Sequence, residues 1–491
     1  MNTTNITQDM ENKQPKGLYL IFFTGLWERF GFYTLQTIII LYMTKNLGLP
    51  DVQANLLYAA FSSLLYITPI IGGYLADKYL GFRRAIIIGG ALFILAYLLA
   101  ASQDRSVFFL GLSILVCANG LFKPNISSIV GELYHDNDPR RDAGFTLFYM
   151  GINIGALIPP IIAGVLVKKY GWHSGFIVAA IGMLIGQIIF IFGKKHLGDI
   201  GALTDKNNIP QTPSLRFYFL LTLGIIIFVG LCQIAFYYPE ITNALVGIAT
   251  LVIFLIVIFF MFREPIEHRK KMFATLVLIA VSVGFWSLYA QTFTSLMLFA
   301  DRNMEKHILG IPLTPEATQF FNPFFIILLS PFLSRLWIKM DNQGLNPSTQ
   351  MKFALGVLFM SVGFLLLAMG THFFGSDGMS SAWWLCSSYF FQTIGELLIS
   401  PIGLAMITVL CPKHLVGMMM GVWFFSQAAS FALGGALANL AALPPEQLSA
   451  VQSLPIYSHA FTVYGMVGLT MTLVSLAFVP FLSRMINPSS R

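Results

Sequence analysis

The chain has 491 residues, 56% of them hydrophobic and only 10% charged, with a mean hydropathy of +0.74. A soluble domain carries about 25% charged residues, so this composition excludes a soluble globular protein and fits one whose surface faces lipid. The formal charge of +7 suggests an acidic or nucleic-acid partner, until its distribution along the chain is read.

Residues 1–16 are polar and hold no apolar core of the kind a cleavable signal peptide needs, so the first apolar helix is expected to serve as the insertion signal. With about 20 mostly apolar residues per span, fourteen transmembrane helices are predicted. They lie at 17–44, 52–78, 84–102, 107–133, 143–169, 172–194, 214–236, 240–262, 271–300, 317–339, 351–371, 382–411, 414–441 and 457–484. An even count puts both termini on one side. Of the 29 Lys and Arg residues, 21 fall on that side and 6 on the other, and Arg29 and Lys123 lie inside helices. The positive-inside rule therefore places both termini in the cytoplasm, and topology accounts for the basic charge without a nucleic-acid partner.

The organisation expected is a cytoplasmic tail (1–16), a six-helix bundle (17–194), a polar cytoplasmic linker (195–213), two extra helices (214–262), a second six-helix bundle (263–485) and a short cytoplasmic tail (486–491). The extra helices hold few polar residues beyond Gln233 and no ionisable residue at depth, the profile of peripheral helices facing lipid. Between the second and third helices, GGYLADKYLGFRR (72–84) resembles the signature loop of the major facilitator superfamily. That resemblance implies an all-α membrane protein of two six-helix bundles, here with two additional helices, enclosing a substrate site near the bilayer midplane.

Ionisable residues at bilayer depth cost at least about 2.5–3.5 kcal/mol each and demand a reason. In the first helix, Glu28 and Arg29 are adjacent and so point about 100° apart. Each is expected to face a different part of a polar cavity, the alternative being a buried pair that only fixes packing. Arg29, Tyr33 and Gln36 share a face. Lys123 sits mid-helix before Pro124, which removes a backbone hydrogen bond. A buried ammonium needs a carboxylate, and Glu396 in QTIGELLISPIG is the candidate, with Ser400 one turn later; the alternative is that each pairs locally. Tyr149 and Asn153 share a face in FYMGINIGALIPP, where Gly151-xxx-Gly155 permits close helix contact. Tyr66, Trp286, Asn322 and Trp423 are polar-capable residues inside apolar runs.

At these residues the sequence resembles the proton-dependent oligopeptide transporters. WERFGFY (27–33), GLFKPNISS (120–128), FTLFYMGINIGALI (145–158), FWSLYAQ (285–291), FNPFF (321–325) and GELLISPIG (395–403) match the family's motifs in order. The resemblance implies that Arg29, Lys123 and Asn153 receive a peptide carboxylate and that Asn322 and Glu396 receive its amino end. Tyr33, Tyr66, Trp286 and Trp423 would line side-chain pockets. Three positions depart from the pattern: Gly25 and Ala290 stand where the family has glutamates, and Gln36 where it has an arginine. In family members that arginine and the second glutamate form an extracellular bridge; here both ends are missing, which can be nearly neutral where losing one would not be.

The expected function is proton-coupled import of di- and tripeptides across a bacterial inner membrane by a monomer, with Glu28, Arg29, Lys123 and Glu396 carrying coupling and gating. The alternative is the same fold carrying another peptide-like, amino-acid or anionic metabolite, with proton coupling altered or absent. No cofactor or metal is expected. The histidines fall mostly in loops or at helix ends without an HExxH pattern, and no GxxxxGK[ST] loop is present. Cys117, Cys232, Cys386 and Cys411 form no CxxC pair and read as reduced packing residues.

Overall fold

The computed structural model describes residues 13–135, 138–204, 211–446 and 448–486. The terminal tails and the middle of the predicted linker, with Lys206 and Arg491 of the charge count, therefore lie largely outside the described residues. Among those described, thirteen helical stretches are long and apolar enough to cross a membrane. Helix α1 (Lys16–Leu41), with Glu28 and Arg29 in its middle, is the fourteenth predicted span.

After α1 come α2 (Asp51–Leu75), α3 (Phe82–Ala100), α4 (Arg105–Glu132), α5 (Arg141–Leu157), α6 (Pro159–Tyr170), α7 (Trp172–Gly193), α8 (Leu215–Tyr237), α9 (Pro239–Arg263), α10 (Ile266–Tyr289) and α11 (Ser295–Arg302). A two-stranded hairpin, His307–Ile308 with Ile311–Pro312, precedes α12 (Phe321–Asn342), α13 (Thr349–Gly370), α14 (Ala382–Leu410), α15 (Val416–Ala438) and α16 (Ala450–Ile486). Two predicted spans are each broken in two. The span expected at 143–169 divides at Ile158, where Pro159 and Pro160 supply no amide hydrogens and start α6 instead. The span expected at 271–300 divides at a 3-10 turn over Ala290–Phe293.

The chain packs as two compact units. One comprises Met1–Thr37 and Ile67–Ile234, and the other Ile38–Tyr66 and Ala235–Arg491. The turn joining α1 to α2 thus belongs to the second unit.

Small residues set how closely the helices of the first unit approach. A Cβ on Gly72 of α2 would lie 1.9 Å from the Gly120 carbonyl of α4, so these backbones touch directly. Gly151 and Gly155 of α5 bring it onto α1, as their spacing predicts: a Cβ on Gly155 would lie 2.3 Å from the Leu26 carbonyl, and one on Gly151 2.8 Å from Phe22. Asp104 caps α4, accepting hydrogen bonds from the Ser106 and Val107 amides at 2.9 Å each. The described part of the linker is docked. Arg83 donates to the carbonyls of Ile200 and Gly198, Arg84 donates to Gln211 O at 3.0 Å, and the Gly201 amide donates to Glu132 at 2.9 Å. Gly81, at φ +75°, has no room for a side chain beside the Leu203 amide.

Helix α9 buries little of its surface, as expected of a lipid-facing helix. Its buried residues include Val246, Val257 and Met261, and two polar side chains bond across: Asn243 donates to Leu56 O at 2.9 Å, and Thr250 to Phe425 O at 3.4 Å. All four cysteines are buried and unpaired.

Candidate functional site

In the first unit, Glu28 and Arg29 do not face different parts of a cavity as expected. Arg29 Nε and Nη2 donate to Glu28 Oε2 and Oε1 at 2.6 and 2.7 Å, a bidentate pair between neighbours, with both residues buried. The angle of about 100° between adjacent side chains does not keep them apart. The long arginine stem folds its planar fork back over that angle, and a low dielectric makes the two-bond arrangement worth the bend. The guanidinium also lies 5.0 Å from the centre of the Phe32 ring. Lys123 on α4 stands within electrostatic reach of both Arg29 and Glu28. On α5, Asn153 is buried and donates to Tyr149 O at 2.8 Å, while Tyr149 itself is half exposed. Tyr33 and Gln36 are partly buried on α1. The first unit therefore gathers Glu28, Arg29 and Lys123 into one charged cluster of net positive sign, with α5 held against α1 by its glycines.

Gly25 lies on the same helix. A Cβ there would meet the Phe148 ring at 3.0 Å, so an aromatic ring occupies the space beside the position where the family pattern has a carboxylate. Gly25→Glu is expected to lower stability by about 1–3 kcal/mol through overpacking. Adding Phe148→Ala should make the carboxylate easier to accept, and thermal unfolding of the single and double variants in detergent checks this; equal losses in both would overturn it.

In the second unit, Asn322 Nδ2 on α12 donates to Glu396 Oε2 on α14 at 2.7 Å and reaches Thr393 Oγ1 at 3.2 Å. Tyr289, at the end of α10, also hydrogen-bonds the Glu396 carboxylate. Asn322 and Glu396, both expected at the peptide's amino end, are thus brought together in the second unit. Tyr289 was missed, although it stands one turn after Trp286 in FWSLYAQ and shares its face. The two rings meet edge to face at 5.1 Å, and the buried Trp286 indole N–H has no hydrogen-bond acceptor among the described residues.

Other residues expected to line the site are engaged in packing. Tyr66 stacks on Phe431 at 5.3 Å, and Trp423, 6% exposed, fills the space beside Gly403, where a Cβ would come within 2.1 Å of its ring. Ser400 is exposed one turn beyond Glu396. Next to Ala290, buried Gln291 donates to Ser287 O at 3.0 Å and to Gly434 O at 2.9 Å, joining α10 to α15. The Ala290 methyl itself packs against Gly434.

The second unit holds two ion pairs that the sequence did not reveal. Arg302 grips Asp51 with two bonds of 2.6 and 2.8 Å and also reaches the Tyr457 hydroxyl at 3.1 Å; the Leu443 amide donates to Asp51 at 2.9 Å. Lys45 pairs with Asp301 at 2.6 Å. Nearby, burial pushes the Lys306 ammonium down to about 8, with Asp301 acting in the opposite sense.

Apolar helices carrying a cation-rich cluster in one unit and a carboxylate held by an amide and a phenol in the other define a membrane transporter, since charges at depth cluster on substrate and ion pathways. The chain belongs to the POT family, whose model matches residues 83–454. It is 36% identical to dipeptide and tripeptide permease B of Salmonella typhimurium, covering 99% of both chains, and 37% identical to permease A of the same organism, covering 96% of this chain and 93% of that one. Among solved structures it resembles a variant of the peptide transporter POT in complex with alafosfalin, with a TM-score of 0.83, 34% identity and 96% coverage of each chain. The chain is an integral membrane protein with the major facilitator architecture that the resemblance implied, and not an enzyme.

Proposed function

We propose that this protein imports di- and tripeptides across a bacterial inner membrane by alternating access, as a proton-coupled monomer with both termini cytoplasmic. The observation that carries the reading is the Asn322–Glu396–Tyr289 cluster. Among the described residues it holds a carboxylate inside apolar helices by neutral donors, leaving its charge to be met by a substrate ammonium or by a proton.

Arg29 and Lys123, with Asn153, are the complementary groups for a carboxylate. A short peptide carries both an ammonium and a carboxylate, and the chain offers groups suited to each. Trp286, whose indole N–H has no acceptor among the described residues, is assigned to substrate contact, and Tyr33, Gln36, Tyr66, Tyr149, Ser400 and Trp423 to shaping the side-chain pockets. Glu28 balances Arg29 and so sets how much positive charge a carboxylate meets.

The substitutions at Gly25, Gln36 and Ala290 favour a second reading, in which the same fold carries another peptide-like or anionic metabolite with altered coupling. Uptake of a labelled dipeptide into proteoliposomes, in competition with amino acids, tripeptides and small carboxylic acids, separates the two. Competition confined to di- and tripeptides is expected; displacement by free amino acids or carboxylates alone would overturn the peptide reading.

A further inference from the structure

We propose that the first unit carries a binding site for one anionic phospholipid, with its acyl chain in the cleft lined by α8 and its headgroup in the basic pocket beside the signature loop. The cleft is about 540 Å³ and is walled by α2, α4 and one face of α8. On α8 the lining residues Phe217, Leu220, Leu221, Gly224, Ile225 and Phe228 recur at helical spacing, so a single stripe of that helix faces the cleft. Ile71, Tyr79 and Leu220 remain 49%, 42% and 53% exposed, so the cleft is open rather than sealed. At membrane depth its neighbours are acyl chains. An unfilled space of this size would deny its walls their dispersion contacts, and a lipid tail fills it without desolvating any polar group.

The second cavity, about 370 Å³, is lined by Arg83, Arg84, Lys194 and Lys195, together with linker backbone, and among the described residues no acidic one lines it. The consecutive residues Tyr79 and Leu80 line the first and second cavities respectively, and the Tyr79 ring stacks on Phe217 of α8 at 5.5 Å. Tail cleft and basic pocket are thus joined through one turn. Arg83 is largely committed to the linker and stands near Asp199 and Glu132. The charge offered to a phosphate therefore comes chiefly from Arg84 and the exposed Lys194 and Lys195. Basic pockets between helices on the cytoplasmic side suit anionic headgroups, and the charge bias of the loops assigns these four residues to that side.

The test is thermal unfolding of the full chain in neutral detergent with added phosphatidylglycerol, phosphatidylcholine of the same acyl chains, or glycerol phosphate. Phosphatidylglycerol is expected to raise Tm by about 4 °C, and the other two by less than about a quarter of that. Lys194→Gln with Lys195→Gln should remove about half of the phosphatidylglycerol shift, by loss of headgroup charge. Gly224→Leu should remove most of it, because a side chain there meets nothing within 4 Å and enters the cleft. Both variants alter sites with room to accept them, and an unchanged Tm without lipid verifies their folding. Equal shifts from both lipids, a full shift from glycerol phosphate, or an undiminished shift in both variants would overturn the proposal.

Discussion

Glu396→Gln is expected to abolish concentrative uptake while retaining exchange of peptide across the membrane, at weakened affinity for the peptide. The glutamine keeps the size of the side chain and an oxygen to accept from Asn322, but it can neither bind nor release a proton. One charge moved across 100 mV is worth about 2.3 kcal/mol, and every 1.4 kcal/mol is a factor of about ten. Removing a single coupled proton therefore lowers the accumulation ratio by about 50-fold at that potential. The measurement is labelled dipeptide in proteoliposomes, with an imposed proton gradient for accumulation and with unlabelled peptide inside for exchange. If the variant still accumulates peptide against a gradient, the coupled proton resides elsewhere, Glu28 being the next carboxylate at depth. Loss of both accumulation and exchange would make Glu396 a substrate ligand without a separate coupling role.

The second large effect is expected at the Asp51–Arg302 pair. Asp51 is 6% exposed and receives two bonds from Arg302 and one from the Leu443 amide. Removing either partner leaves a buried charge without its counterpart, a loss of about 3–5 kcal/mol for a fully buried pair. The Arg302 side chain is 25% exposed, which screens part of this and brings the expected loss for Arg302→Gln or Asp51→Asn to about 2–3 kcal/mol. The double variant should lose little more than either single one, with a coupling of about 2 kcal/mol measured in a thermal-unfolding cycle. Additive losses would show that the two residues act separately. Lys45–Asp301 serves as the comparison, because Lys45 is half exposed and its pair is expected to contribute less than about 1 kcal/mol. Together the two pairs fasten Lys45, just before α2, and Asp51, at its start, to the end of α11 within the second unit.

Legibility in the sequence followed the range of the forces involved. The two broken spans mark one limit. Pro159 and Pro160 stand in plain view, yet the run around them is apolar enough to read as one span, whereas the turn at Ala290–Phe293 depends on Gln291 bonding to Gly434 in a distant helix. The site shows the same division. Glu396, Asn322, Arg29 and Lys123 stood out because an ionisable or amide group in an apolar run is conspicuous, while Tyr289 did not, because a tyrosine in such a run is ordinary until its hydroxyl is seen on the carboxylate.

The sequence by itself determined the number and placement of the spans, the side on which positive charge collects and the identity of the charges at depth. Lipid imposes those requirements on each helix separately, so each helix carries its own record of them. Only the tertiary structure decided which partner each charge takes: Arg29 its immediate neighbour, Glu396 an asparagine 74 positions away, and Asp51 an arginine 251 positions away. A salt bridge depends on where atoms lie to within a fraction of an ångström, and helix packing fixes that position, set here by glycines whose missing side chains let backbones touch.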